Sequence, residues 1–343
     1  MLSIARKLQT KHTAVSGASS PRKQAHRIFP IYILTEWFKM PLLLALILLK
    51  NIMKKLFLLL SAAMMIVLQN GVSAQTGTVR DDLFLRSEIL NMPRNFAIYL
   101  PPDYKTSNRK YPVLYLLHGA GDDHSGWVQF GEVLHIADKA INEGKATPMI
   151  IVMPDANAGR RGYFNDLKGE YRYEDYFFNE LIPFIEKTYR VRSEKRYRAI
   201  SGLSMGGGGT FIYAMHHPEL FAAACPLSGA LRNSDNEATA KQMVEKDSSL
   251  NLEETLKYLQ SLNPHWYISN ATDEQKRALS SVRWYIDCGD DDFLYEGNAQ
   301  IHIAMRKKEI PHEYRVRDGG HTWDYWRTAL PTVLEFISKS FHQ

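Results

Sequence analysis

Residues 200–212, "ISGLSMGGGGTFI", constrain what this chain can fold into more tightly than any other stretch. Ser204 stands between Gly202 and Gly206, and Gly207, Gly208 and Gly209 follow before an apolar run. A glycine in a helix interior costs about 1 kcal/mol relative to alanine, so four together at a helix start need a cause. Gly202-Leu203-Ser204-Met205-Gly206 fits G-x-S-x-G, in which the serine occupies a sharp, strained turn between strand and helix with its oxygen exposed. The flanking positions are small because other backbone crowds them. The strand-like "YRAI" before it and the helix-like "TFIYAMHH" after it supply that setting. A phosphate-binding loop does not fit, because no lysine follows the glycines and G-x-x-x-x-G-K-[ST] is absent.

The flanking chain repeats short apolar runs of the kind that a parallel sheet buried on both faces requires. They are "YPVLYLLHG" (111–119), "PMIIVMPD" (148–155), "YRAISG" (197–202), "FAAACPLSG" (221–229) and "VRWYIDCG" (282–289), with "EYRVRDGGH" (313–321) last. Ahead of them "RNFAIYLPPDY" (94–104) alternates like a half-buried strand. Between them "YFFNELIPFIEKTYR" (176–190) spaces Phe177, Leu181, Phe184 and Ile185 for a helix packed on the sheet. This alternation predicts one α/β domain with a mostly parallel central sheet and right-handed crossovers. Residues 232–281 form the one long connection between core strands and are expected to be an insertion serving as a lid or substrate wall.

Residues 53–74 read as a bacterial secretory signal: Lys54 and Lys55, an apolar run over 56–68, and the small-residue cleavage site Val72, Ser73, Ala74. The folded domain is then expected over 75–343, in a secreted or periplasmic protein, with residues 1–52 an extension upstream of the true start. "PLLLALILL" (41–49) is too short to span a bilayer and is followed by Lys50, so no stable membrane anchor is expected after processing. Processing also changes the charge. The whole chain is +5, but residues 75–343 carry 32 basic against 36 acidic side chains, a balance of −4. Nothing here calls for nucleic acid. Cys225 and Cys288 each lie in an apolar run, and pairing and burial as free thiols are both open.

A serine hydroxyl needs a base to become a nucleophile. Of the twelve histidines, His321 ends the last strand-like run in "RDGGHTWDYW", where Gly319 and Gly320 make a tight turn at the carboxyl end of the sheet. His118 in "LLHGAG" also ends a strand but adjoins the loop expected to supply backbone N–H groups, and is read as structural. His216 and His217 fall at the end of the helix after Ser204. The carboxylate that holds the imidazole's tautomer has four candidates in "IDCGDDDFLYEGN", namely Asp287, Asp290, Asp291 and Asp292, and spacing does not choose among them. Oxyanion donors are expected from the amides of Met205 and, in the loop "HGAGDD", Ala120.

With these residues placed, the sequence resembles the esterase D and feruloyl esterase family of α/β hydrolases, which includes carbohydrate esterases of family 1, S-formylglutathione hydrolases and mycolyltransferases. The likeness runs from "AIYLPPDY" through "YPVLYLLHGAGDDHSGW", "GLSMGGGG" and "CGDDDFLYEGN" to "GGHTWDYW". It implies the α/β-hydrolase fold, Ser204 as nucleophile, His321 as base, Asp292, three residues after Gly289, as the acid, and Ala120 and Met205 at the oxyanion. No cofactor or metal is implied. Together with secretion it implies an ester substrate on plant cell-wall oligosaccharide, feruloyl or acetyl groups on xylan, with Trp127, Tyr163, Trp266, Trp323 and Trp326 as candidates to stack on a phenolic ring or sugar. Acyl transfer to a sugar hydroxyl would use the same residues. An S-formylglutathione hydrolase-like esterase is disfavoured by the signal sequence, and a non-catalytic carbohydrate-binding module by the complete triad.

Overall fold

Strand runs buried on both faces and helices with one apolar stripe leave little freedom in how they assemble. The computed structural model describes residues 32–69, 76–157, 162–231 and 235–342, with side chains of the first stretch described for 42–62. The chain divides into two units, Met1–Ser73 and Ala74–Gln343. In the first, Tyr32–Gln69 is a single helix whose apolar run is broken by Lys50, Lys54 and Lys55. Among the described residues no helix is long and apolar enough to cross a membrane. The expected cleavage site at 72–74 and the upstream residues 1–31 lie outside the described residues.

In the second unit eight strands, β1 (Thr78–Ser87), β2 (Met92–Leu100), β3 (Val113–Leu117), β4 (Ile150–Pro154), β5 (Arg198–Leu203), β6 (Ala223–Leu227), β7 (Arg283–Gly289) and β8 (His312–Arg317), form one sheet in the order β1-β2-β4-β3-β5-β6-β7-β8. The pairings from β4 through β8 are parallel, while β2 runs antiparallel to both β4 and β1. Strands β3 to β6 are buried at every position, which is why they read as continuous apolar runs. The period of two sorts their side chains. Val113, Tyr115 and Leu117 enter one core beneath the helices Met205–His216 and Tyr295–Lys307. Leu114 and Leu116 enter the other, beneath Val133–Asn142 and Trp323–Ser340.

Two elements differ from expectation. The helix expected over 176–190 begins at Tyr173, opens into a π-turn at Phe177–Leu181 and continues as Ile182–Thr188. Pro183 lacks an N–H to donate, and the wider turn lies just ahead of it. The described residues of the 232–281 connection, 235–281, contain four helices, Asn236–Lys246, Leu252–Ser261, Pro264–Ser269 and Asp273–Ser280, between β6 and β7. Each has a polar N-cap, respectively Asp235, Asn251, Asn263 and Thr272, whose side chain accepts from the first-turn backbone.

One tie between these helices and the sheet layer runs through His216, which is ion-paired to Glu174 and hydrogen-bonded to Ser261. His216 Nδ1 lies 2.7 Å from Glu174 Oε1, and its Nε2 lies 3.1 Å from the Ser261 carbonyl. Burial opposes the charged imidazole, but the Glu174 carboxylate and the Ser261 carbonyl outweigh it and raise His216 above 6.5. Burial likewise opposes the Glu174 charge, yet His216 and His217 hold that carboxyl below its usual range. A raised imidazole stabilises fully below its unfolded value and loses that contribution as pH rises through its folded one; the lowered carboxyl does the reverse in acid. His216→Ala should therefore cost about 2 kcal/mol between about pH 5 and pH 6.5, and less both in stronger acid and in alkali. Urea unfolding across that range measures it.

Candidate active site

At the carboxyl end of β5 the chain turns at Ser204, which has φ 53° and ψ −116° and begins the helix Met205–His216. A non-glycine residue at positive φ is strained. Here backbone bonds fix it: Ser204 N–H donates to Leu227 O (2.9 Å), and Ser204 O accepts from Gly208 (3.0 Å) and Ala230 (2.9 Å). The glycine run answers to crowding. A Cβ on Gly206 would stand 2.6 Å from His118 O, on Gly207 2.6 Å from Leu227 O and on Gly208 2.5 Å from Ala230 O. No side chain fits where three backbone segments meet the first turn of the helix.

The loops after β7 and β8 deliver the other two groups. They cross so tightly that a Cβ on Gly289 would lie 1.9 Å from Gly319 O. Gly319 itself has φ 131°, a conformation that glycine adopts without strain. Asp291 N–H donates to Gly319 O (3.2 Å), and Gly319 N–H to Asp290 Oδ1 (3.0 Å). The crossing sets His321 Nδ1 2.9 Å from Asp292 Oδ2 and 3.1 Å from Oδ1, and His321 Nε2 2.9 Å from Ser204 Oγ.

The four acidic candidates thus separate by direction. Asp287 is buried and bound by Arg317 Nε and Nη2 (3.1 Å each), Tyr285 and Tyr325. Asp290 and Asp291 are exposed, and only Asp292, fully buried, meets the imidazole. Burial opposes the Asp292 charge, but hydrogen bonds from His321, Ser228 and the Leu294 amide hold its carboxyl below the usual carboxylate range. Asp290, Asp291 and Asp318 bring carboxylate oxygens within 4.8 Å of one another, but all three are exposed, and such groups are common without an ion.

On the other side of Ser204 runs the loop after β3. A Cβ on Gly119 would stand 3.5 Å from Ser204 Cβ, so the next residue, Ala120, follows directly beside the nucleophile, while Met205 is the first helical residue after it. His118 is buried beneath this loop. Its Nδ1 donates to Gly119 O (2.8 Å) and its Nε2 accepts from Ala156 N (2.9 Å), and burial holds the imidazole neutral by lowering its pKa. It is structural, as expected.

Two aromatic candidates require correction. Trp127 and Tyr163 have no exposed surface with which to meet a substrate; they brace the loop after β3, through Trp127 Nε1 to Leu117 O (3.0 Å) and Tyr163 OH to His118 O (3.1 Å). Trp326 is buried, donates to Ser228 Oγ (3.1 Å), and stands edge-on to His321 with centroids 4.9 Å apart at 88°. Trp323 is half-buried among Trp127, Phe130 and Trp326, and Trp266 is exposed in the helices between β6 and β7. Two neighbours of the histidine–aspartate pair escaped the sequence reading. Ser228 carried no signal, whereas Phe293, a large apolar residue within the polar turn "GDDDFLYEGN", did. Its ring is 73% exposed and lies 4.5 Å from that of His321. Cys225 and Cys288 are both free and buried.

In this geometry His321 can receive the Ser204 proton while Asp292 holds the Nδ1–H tautomer. A hydrogen-bonded serine, histidine and aspartate at the carboxyl ends of a sheet in this strand order belong to the α/β-hydrolase class. Residues 87–337 match the Esterase family model, described as "Putative esterase", and the chain belongs to that family. A solved ferulic acid esterase is 36% identical with a TM-score of 0.67, covering 77% of this chain and 99% of its own. An endo-1,4-β-xylanase/feruloyl esterase of Xylanibacter ruminicola is 37% identical over 154 residues, 42% of this chain and 20% of that protein. An acetyl esterase of Caldicellulosiruptor saccharolyticus is 25% identical over 240 residues, 69% of this chain and 86% of its own. Several curated relatives are much longer, the chain spanning 20% to 28% of their length.

Proposed function

We propose that the protein is a secreted serine esterase that cleaves feruloyl or acetyl esters of plant polysaccharide through an acyl-enzyme. The observation that carries the reading is the 2.9 Å approach of His321 Nε2 to Ser204 Oγ, with Asp292 behind it at 2.9 Å. Ser204 Oγ attacks the ester carbonyl as His321 takes its proton, and the amides of Met205 and Ala120 receive the developing oxyanion. The tetrahedral intermediate expels the alcohol, which takes the proton from His321. A water then gives its proton to His321 and attacks the acyl carbon, and carboxylate leaves as Ser204 is reprotonated.

The polysaccharide reading is supported by the names of the relatives, and secretion by the signal-like residues 53–74. Phe293 favours an aromatic acyl group: an exposed ring beside the imidazole can stack on a phenolic ring, which acetate cannot supply. Hydrolysis of methyl ferulate, methyl acetate and acetylated xylan tests the reading. Methyl ferulate should exceed methyl acetate by about tenfold or more in kcat/KM; equal rates would remove the aromatic preference, and no hydrolysis of any ester would sink the esterase reading.

A further inference from the structure

Trp266 differs from Trp323, which is packed among Trp127, Phe130 and Trp326, and from the three tryptophans whose rings are hydrogen-bonded. The ring N–H groups of Trp127, Trp284 and Trp326 donate to Leu117 O, Leu279 O and Ser228 Oγ. Trp266 is 36% exposed, and its Nε1 has no protein partner among the described residues. It lines a cleft of about 550 Å³ in which eight of ten lining residues carry polar side chains. The Gln260 amide and the His265 imidazole, also in the lining, have no protein partner among the described residues either.

The cleft's frame is rigid. Asn263 caps the short helix by accepting from Trp266 N (3.0 Å) and donates to Asn236 Oδ1 (3.2 Å), and Asn270 Nδ2 donates to Trp266 O (2.8 Å). An indole face on a fixed backbone, beside amide, imidazole and indole groups that no protein atom engages, is a surface for a ligand that is apolar on one face and hydroxylated at its edge.

The lining excludes other classes. It contains no lysine or arginine and two carboxylates, Asp235 and Glu237, which repel phosphate or carboxylate ligands. Its polar majority does not suit a lipid chain. A neutral sugar presents C–H groups to the indole and hydroxyls to the amides and carboxylates.

Position links the cleft to the reaction. Ala230 N–H donates to Ser204 O, and Asp235, at the cleft, is five residues further along the chain. The extended chain reaches at most about 3.6 Å per residue, so the Cα atoms of Ala230 and Asp235 are within about 18 Å. That is within the reach of a short oligosaccharide.

We propose that the Trp266 cleft is a glycan subsite that holds the unesterified part of the substrate's sugar chain while the ester lies at Ser204. The proposal rests on the esterase reading above and adds the recognition of the polysaccharide. The probe is xylohexaose, titrated into the full-length Ser204→Ala protein by calorimetry, alone and with Trp266→Ala or Gln260→Ala added. In parallel, KM and kcat are measured on feruloylated xylo-oligosaccharide and methyl ferulate with Ser204 intact. Trp266→Ala should weaken xylohexaose binding and raise KM for the oligosaccharide ester by about tenfold, with Gln260→Ala in the same direction. kcat and the methyl ferulate constants should be unchanged. Unaltered xylohexaose affinity and oligosaccharide KM in both variants would overturn the subsite. An enzyme inert on methyl ferulate would overturn the esterase reading instead, and the titration, which needs no turnover, would still decide the cleft.

Discussion

Ser204→Ala is expected to lower kcat/KM for 4-nitrophenyl acetate by about 10⁵–10⁶-fold, because the nucleophile of a coupled triad is lost as a unit with its partners. Stability should stay within about 1 kcal/mol of the parent. The Ser204 side chain caps nothing at the head of its helix, and alanine keeps the Cβ at the same positive φ, so neither a cap nor a strain is altered. The hydrogen bond to His321 is the one interaction removed. Initial rates with matched urea unfolding curves separate loss of chemistry from loss of fold. Residual activity within tenfold of the parent would place the nucleophile elsewhere.

Asp292→Asn should lower kcat by about 10⁴ with a much smaller change in KM. Asp292 accepts from His321 Nδ1 in a fully buried setting. An amide there presents N–H to the same nitrogen, which then keeps its lone pair and moves the ring proton to Nε2, where it can no longer accept from Ser204. Asp287→Asn, five residues before the triad acid and inside β7, tests whether any buried carboxylate would do. Its bonds run to Arg317, Tyr285 and Tyr325, so its substitution should act on stability before kcat. Equal losses of kcat for the two variants at equal stability would contradict the assignment of roles.

That spacing alone could not choose one acid among its neighbours, where the family resemblance pointed to Asp292, has a physical answer. Asp287 lies inside β7 and Asp290, Asp291 and Asp292 lie in the turn that follows, and what distinguishes the three turn residues is the direction imposed where Gly289 passes Gly319, a contact between residues thirty apart. Ser204 and His321 were legible because each ends a strand run in a glycine-marked turn whose crowding is local. The buried strands β3 to β7 were legible because burial on both faces demands unbroken apolar residues. Strand β1, "TVRDDLFLRS", was missed, since it pairs with β2 alone and exposes much of its length. The helices of 232–281 carried readable caps at Asp235, Asn251, Asn263 and Thr272, but their charged composition masked them as surface chain. Trp127 and Tyr163 show the limit for aromatics: residue type cannot say whether a ring faces a substrate or a core.

The central claim is that Ser204 is the residue that becomes acylated. Reaction of the full-length protein with a fluorophosphonate ester, followed by proteolysis and mass spectrometry, measures it directly. One adduct per chain is predicted, on the peptide containing "GLSMGGGG", with no adduct in Ser204→Ala and slow labelling in His321→Ala. A label on any other residue, or undiminished labelling of Ser204→Ala, would contradict the account.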